Sequence, residues 1–289
     1  MSLTVATPDP SQLTGVLDAL RCWQVDEVPI HLHPGDLGWY GMRGPDAAAS
    51  ALRTWSADGQ LLAIGLLDGP EVLRLAVDPR RRDDGELART IADDLADADS
   101  DALPEAGTAL EARSAPQLRT ELLHRGWVED EAWVPLQRDL TAPVEPVSLQ
   151  VETVAPEDCA EFTAVHRSAF TGGAFTDARF RTLMAGPWSA DAQALLGRDE
   201  DGRPVAMAMV WSAGPGRPGL LEPLAVDAVH RGRGHGRAIT LAAAAALREG
   251  GASSARVCTE AERRGAVATY VSAGFTRSAD SRDLCRRRG

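Results

Sequence analysis

Long apolar runs, paired cysteines and tyrosines are scarce in this sequence of 289 residues. No apolar stretch approaches the ~18 residues that a membrane helix requires. The longest, Ile239 to Leu247, is interrupted by Thr240 and closed by Arg248, so no membrane partner is expected. The opening residues, MSLTVATPDPSQ, offer neither the basic nor the apolar segment of a secretory signal, and a cytoplasmic protein is expected. Cys22, Cys159, Cys258 and Cys285 are scattered, with no C-x-x-C pair and no clustered histidines. That excludes a metal site of recognisable spacing and reads as reduced, mostly packed thiols. Net positive charge is lacking too, at a formal -12 and an isoelectric point of about 5.0. A phosphate backbone would be repelled unless a basic patch were strongly segregated, and no nucleic acid is expected as partner.

What is present is ordinary globular composition, 44% hydrophobic and 25% charged, in a chain long enough for two domains. The halves echo each other. LAVD stands at Leu75 to Asp78 and recurs about 150 residues later, at Leu224 to Asp227. Arg82 and Gly85 precede Arg231 and Gly234 by the same interval, and each copy runs on into a helical pattern, ELARTIADDLADA and RAITLAAAAALRE. LLHRGW, Leu122 to Trp127, is echoed by YVSAGF, Tyr270 to Phe275. The polar turns SADGQ and DEDGR, at Ser56 and Asp199, each separate two apolar runs. Order and spacing shared by separate features argue against chance. Between the halves, DLTAPVEPVSLQ carries Pro143 and Pro146 and no amphipathic period. Domains are therefore expected at 1–140 and 148–289, with a linker at about 141–147.

In the second half a strand is expected over Leu149 to Val154, then helices over Pro156 to His166 and Asp177 to Met184. A hairpin around Asp201 and Gly202 follows, then a fourth strand GLLEPLAV, a glycine loop with its helix, and a fifth strand SARVCTE. A helix over Arg264 to Ser272 and a final pair of short strands around Phe275 and Leu284 complete it. Strands and helices alternate only partly, which implies a mixed α/β sheet rather than a doubly wound one.

The loop HRGRGHGRA, from His230, joins a strand to a helix, so unbonded N–H groups gather at a helix N-terminus and make an anion site. Gly234 and Gly236 would allow close approach and unusual φ, and Arg231, Arg233 and Arg237 add charge. No acid lies between Asp227 and Glu249. A Walker loop would need Gly-Lys-Ser/Thr, and a dinucleotide fingerprint would need a third glycine at different spacing. Both are weakened. A solvated basic loop remains the plain alternative.

Arg-x-x-Gly-x-Gly over residues 231–236, following LAVD, resembles the acetyl-CoA pyrophosphate loop of the GCN5-related N-acetyltransferases, the GNAT family. Tyr270-Val-Ser-Ala-Gly274-Phe275, with Ala266 ahead of it, is similar to the family's late motif. The resemblance implies two tandem GNAT-like domains of mixed, mainly antiparallel α/β architecture. It also implies acetyl-CoA as cosubstrate and transfer of an acetyl group to a primary amine of a small molecule. By the same resemblance, main-chain groups of Leu224, Ala225 and Val226 would hold the pantetheine arm. The phosphates would lie against Arg231, Gly232, Arg233, Gly234, His235, Gly236 and Arg237. Tyr270 would be the general acid and Glu222 the candidate base, an ion-paired strand residue being an equal reading of Glu222; no metal is implied. His230 and His235 read as loop residues near phosphate. Pro223, unable to donate to a ladder, requires an edge or bulge in the fourth strand. The segment AFTGGAFTDARF, Ala169 to Phe180, falls where the family contacts acceptors, and Trp188 and Trp211 would line the cleft or pack in the core. In the first copy, RRRDDGELART replaces the loop: Asp83, Asp84 and Glu86 place carboxylates where phosphate should sit, Leu87 stands for Gly236, and Leu122 for the tyrosine. That copy reads as degenerate, structural or substrate-shaping. A non-catalytic CoA-binding sensor and a purely structural protein are the competing functions, and tandem family members include enzymes of small thiol or amino-sugar metabolites.

Overall fold

The computed structural model describes residues 3–70, 72–97, 109–170 and 175–286. In chain order the elements of the first half are β1 (Thr4–Ala6), α1 (Leu13–Trp23), α2 (Pro34–Tyr40), α3 (Pro45–Ala51), β2 (Leu52–Ala57), β3 (Gln60–Leu67), β4 (Val72–Val77), α4 (Gly85–Ala96), β5 (Ala109–Glu111), α5 (Pro116–His124) and β6 (Val128–Asp139). Then come β7 (Gln150–Thr153), α6 (Ala160–Ala169), α7 (Asp177–Met184), β8 (Ala192–Arg198), β9 (Pro204–Trp211), β10 (Gly219–Val226), α8 (His235–Glu249), β11 (Ser254–Glu260), α9 (Arg264–Ser272), β12 (Thr276–Arg277) and β13 (Ser281–Cys285). Most sequence expectations for the second half coincide with these bounds. The first helix differs, with a 3-10 turn over Pro156–Asp158 ahead of α6. The expected helical run of the first copy reaches Ala98, which lies outside the described residues.

Two compact units form, and neither is a continuous stretch. One comprises Met1–His33, Pro45–Trp133 and Asp280–Gly289; the other comprises Pro34–Gly44 and Val134–Ala279. The expected division at 141–147 is corrected on three counts. Helix α2 belongs to the second unit, the C-terminal strand β13 belongs to the first, and 141–147 is no free linker. Val144 and Val147 pack against the second unit's core, and Glu145 pairs with Arg138 and Arg237. Burying those two valines outweighs leaving the segment loose in water.

In the first unit β1, β2, β3 and β4 run antiparallel in order, β4 pairs in parallel with β5, and β13 lies between β5 and the first part of β6. In the second, β7, β8, β9 and β10 are antiparallel neighbours, β10 is parallel to β11, and the latter part of β6 lies between β11 and β12. The short strands around Phe275 and Leu284 therefore do not pair with each other, because each takes a place on β6. The helices bury amphipathic faces. Leu87, Ala88, Ile91, Ala92 and Leu95 do so from α4, and Ile239, Leu241, Ala243, Ala244 and Leu247 from α8. Each large buried side chain such as Ile239 contributes about 1.5–3 kcal/mol. No helix among the described residues is long and apolar enough to cross a membrane.

Candidate active site

Both neighbours of β10 release it midway. It pairs with β11 at Gly219↔Ala255 and Leu220↔Arg256, and no later pair between the two follows among the described residues. Its register with β9 slips between Leu221 and Leu224. The slip falls on Glu222 and Pro223, joined by a cis peptide bond. Proline gives no N–H to a ladder, so a bulge is where a strand accommodates it. Leu224, Ala225 and Val226 resume pairing with β9 at Ala208, Met207 and Ala206, and the edge they turn toward β11 opens as a fork.

Carried two residues past its last pair, the parallel register would bring Cys258 of β11 level with Glu222. Tyr270 of α9 closes the group. It is 8% exposed and packs on Phe275 with ring centroids 5.9 Å apart. Burial, and then the nearby Glu222 carboxylate and Cys258, push its phenol well above the ordinary range. The fold thus brings Glu222 and Tyr270 together. Cys258 was missed from sequence as a member of this group, since nothing in SARVCTE marks it apart from the other scattered cysteines.

Past β10 the Asp227 side chain accepts from the Val229 N–H at 3.0 Å, and the chain turns through Gly232 and Gly234 at φ of +76° and +87°. Gly234 is the N-cap of α8 in the left-handed region. It has no side chain to bond the first N–H groups, and no acid stands in the first turn. The N-terminus is therefore left open to an external anion.

Gly236 has a different part from the one expected. It sits inside α8 without a positive φ, and a Cβ there would meet Thr269 Cγ2 at 3.1 Å, so its smallness serves the packing of α8 on α9. The arginines also differ. Arg231 donates to the Ala169 carbonyl, and Arg237 to the Ser272 carbonyl and Glu145. Arg233 makes no such bond among the described residues and, with His235 and Asp199, borders an open groove of about 680 Å³. His230 and His235 lie 6.3 Å apart, ring to ring. Burial, then His230 and Arg233, lower the His235 pKa.

The corresponding turn of the first unit is closed. Asp84 caps α4, accepting from the Glu86 and Leu87 N–H groups at 2.9 and 3.1 Å, and takes Arg81 at 2.5 Å. The Leu87 N–H foremost, and then Arg81, hold its carboxyl below the usual range. The N-cap that corresponds to Gly234 is therefore Asp84, where the sequence echo aligned Gly85. One extra residue in the second loop shifts the register, so Glu86 rather than Leu87 occupies the place of Gly236.

Trp188 and Trp211 are fully buried and belong to the core. Of the expected acceptor segment, residues 171–174 lie outside the described residues. Phe175, within it, packs with Trp39, Phe162, Phe180 and His166. Burial, and then Arg167, lower His166 to a pKa of about 4. Nothing in the sequence signals that Trp39, from the first half, belongs to this cluster.

Comparison with known proteins agrees with this geometry. A family model described as Acetyltransferase (GNAT) family matches residues 160–275. The mycothiol acetyltransferase of Nocardia farcinica is 30% identical over 237 residues, 75% of this chain and 77% of that protein. That of Propionibacterium freudenreichii subsp. shermanii is 29% identical over 279 residues, 90% and 84% of the two. Among solved structures, a tandem GNAT protein from the clavulanic acid biosynthesis pathway superposes with a TM-score of 0.56 at 16% identity, covering 98% of this chain and 97% of that one. A GCN5-related N-acetyltransferase from Sphaerobacter thermophilus gives 0.55 at 18%, covering 98% and 95%. These likenesses show the fold, two GNAT-like domains of mixed α/β architecture.

Proposed function

Because the chain belongs to the GCN5-related N-acetyltransferase family and is an N-acetyltransferase, we propose that its second unit moves the acetyl group of acetyl-CoA to a primary amine of a small molecule by direct attack. What carries this reading is the N-terminus of α8, capped by left-handed Gly234 and with no acid in its first turn, beside the fork at Glu222. The relatives' name, mycothiol acetyltransferase, supports a small-molecule acceptor.

Acetyl-CoA supplies a thioester activated toward attack. Its phosphates suit the open N–H groups of α8 and the guanidinium of Arg233, and its pantetheine suits the free edge of Leu224, Ala225 and Val226. An alkyl amine of pKa ~10.4 arrives protonated, and Glu222, half-buried in the fork, accepts that proton directly or through water. Tyr270 keeps its own proton at neutral pH and donates it to the departing thiolate. The first unit, its helix end occupied by Asp84, has no room for the same phosphates and serves structure or substrate shaping.

Calorimetric titration with acetyl-CoA tests the assignment. Wild type is expected to bind near one equivalent, and Arg233→Glu to lose at least about tenfold in affinity, or 1.4 kcal/mol. A stoichiometry near two would sink the closed state of the first unit. An amine screen followed by thiol release separates an enzyme from a CoA sensor, which would bind without turnover.

A further inference from the structure

Trp211, the last residue of β9, is fully buried with its indole against α2. A Cβ added to Gly35 or to Gly38 would collide with the ring, so the glycine face of α2 is the wall that fixes it. That wall comes from the segment Pro34–Gly44, which the chain contributes to the second unit from far upstream. The indole Nε1–H donates to the main-chain carbonyl of Glu222 at 2.6 Å. The acceptor belongs to the bulge, where β10 has left its last pair with β11 and lost register with β9. A bulged backbone is held less by its ladder and depends on other partners. Here the partner is a ring with one place to stand.

We propose that Trp211 is a positioning residue for acetyl transfer, clamped by Gly35 and Gly38 so that it holds the Glu222 carbonyl and with it the bulge that opens the fork and aims the Glu222 carboxyl. The proposal rests on the reading of Glu222 as the base. Trp211 touches no reacting atom; it sets where a reacting group stands. The upstream glycine segment thereby acts on the chemistry of the second unit, a role that neither the phosphate loop nor Tyr270 demands of it.

Trp211→Phe keeps an aromatic ring against Gly35 and removes the donor. Carbon-13 NMR of glutamate-labelled protein, with Glu222 assigned from Glu222→Gln, reads that carboxyl's titration without any acceptor. Trp211→Phe is expected to displace the Glu222 midpoint by about half a pH unit or more, while acetyl-CoA affinity measured by calorimetry stays within about twofold. Gly38→Ala is expected to displace it likewise in the wild type and to add little in the Trp211→Phe background. The atoms a Gly38 Cβ would strike, Cζ3, Cη2 and Cε3, belong to the part of the indole that is lost. An unchanged Glu222 titration in folded Trp211→Phe, or additive effects of the two substitutions, overturns the clamp. The base reading fails by a different sign, wild-type thiol release by Glu222→Gln, which leaves the Glu222 titration in Trp211→Phe to decide the clamp alone.

Discussion

Tyr270 and Arg233 are the residues whose surroundings say most about their work. Tyr270 is one of only two tyrosines in the chain, and burial beside Glu222 raises its pKa. A phenol so placed stays protonated across the working range, which suits an acid rather than a base. Tyr270→Phe is expected to lower kcat by a hundredfold or more, roughly the share of positioned acid catalysis, with acetyl-CoA affinity and melting temperature little changed; unaltered turnover would remove the assignment. Arg233 stands apart from Arg231 and Arg237, whose guanidinium groups are tied to carbonyls of the fold. The chain contains no lysine, so every cation at the loop is a guanidinium, and no side-chain amine of the protein can compete as acceptor.

At the scale of elements, two helix ends of similar sequence pattern have opposite electrostatic fates. Gly234 leaves the N-terminus of α8 open, whereas Asp84 fills that of α4 with its own carboxylate. Replacing a cap of this kind costs about 1 kcal/mol, so the acid also stabilises α4. Helix α6 carries the group that titrates most usefully. His166 falls from an ordinary 6.5 to about 4 because it is buried among Trp39, Phe170 and Phe175. The unfolded chain binds the proton more tightly, so the stability contributed by neutral His166 is complete above about pH 6.5 and is lost as pH falls toward 4, up to about 3 kcal/mol. Urea unfolding at pH 7 and pH 5 is expected to show a smaller acid loss in His166→Phe than in wild type. Equal losses would contradict the burial argument.

For the whole molecule, the exchange of segments matters more than the repeat. Residues 148–289 contain α8, the fork and Tyr270, yet lack α2 and the part of β6 that stands between β11 and β12. Expressed alone, that fragment is expected to lack a cooperative melting transition and to bind no acetyl-CoA, since Trp211 would lose its glycine wall and β11 its neighbour. A folded, ligand-binding fragment would refute this.

What the sequence by itself determined was local: where β10 ends, that a helix follows the glycine loop, that Pro223 forces an edge or a bulge, and which of the two loops kept its acids. These follow from residues adjacent in the chain, through missing N–H groups, φ preferences and caps. Only the tertiary structure decided that Gly236 packs against Thr269, that Asp84 rather than Gly85 is the counterpart of Gly234, that Cys258 and Glu222 both come near Tyr270, and that Gly35 and Gly38 wall in Trp211. Those facts depend on register and on contacts between segments remote in sequence. Such contacts are selected by buried surface and shape rather than by any signal the neighbouring residues carry.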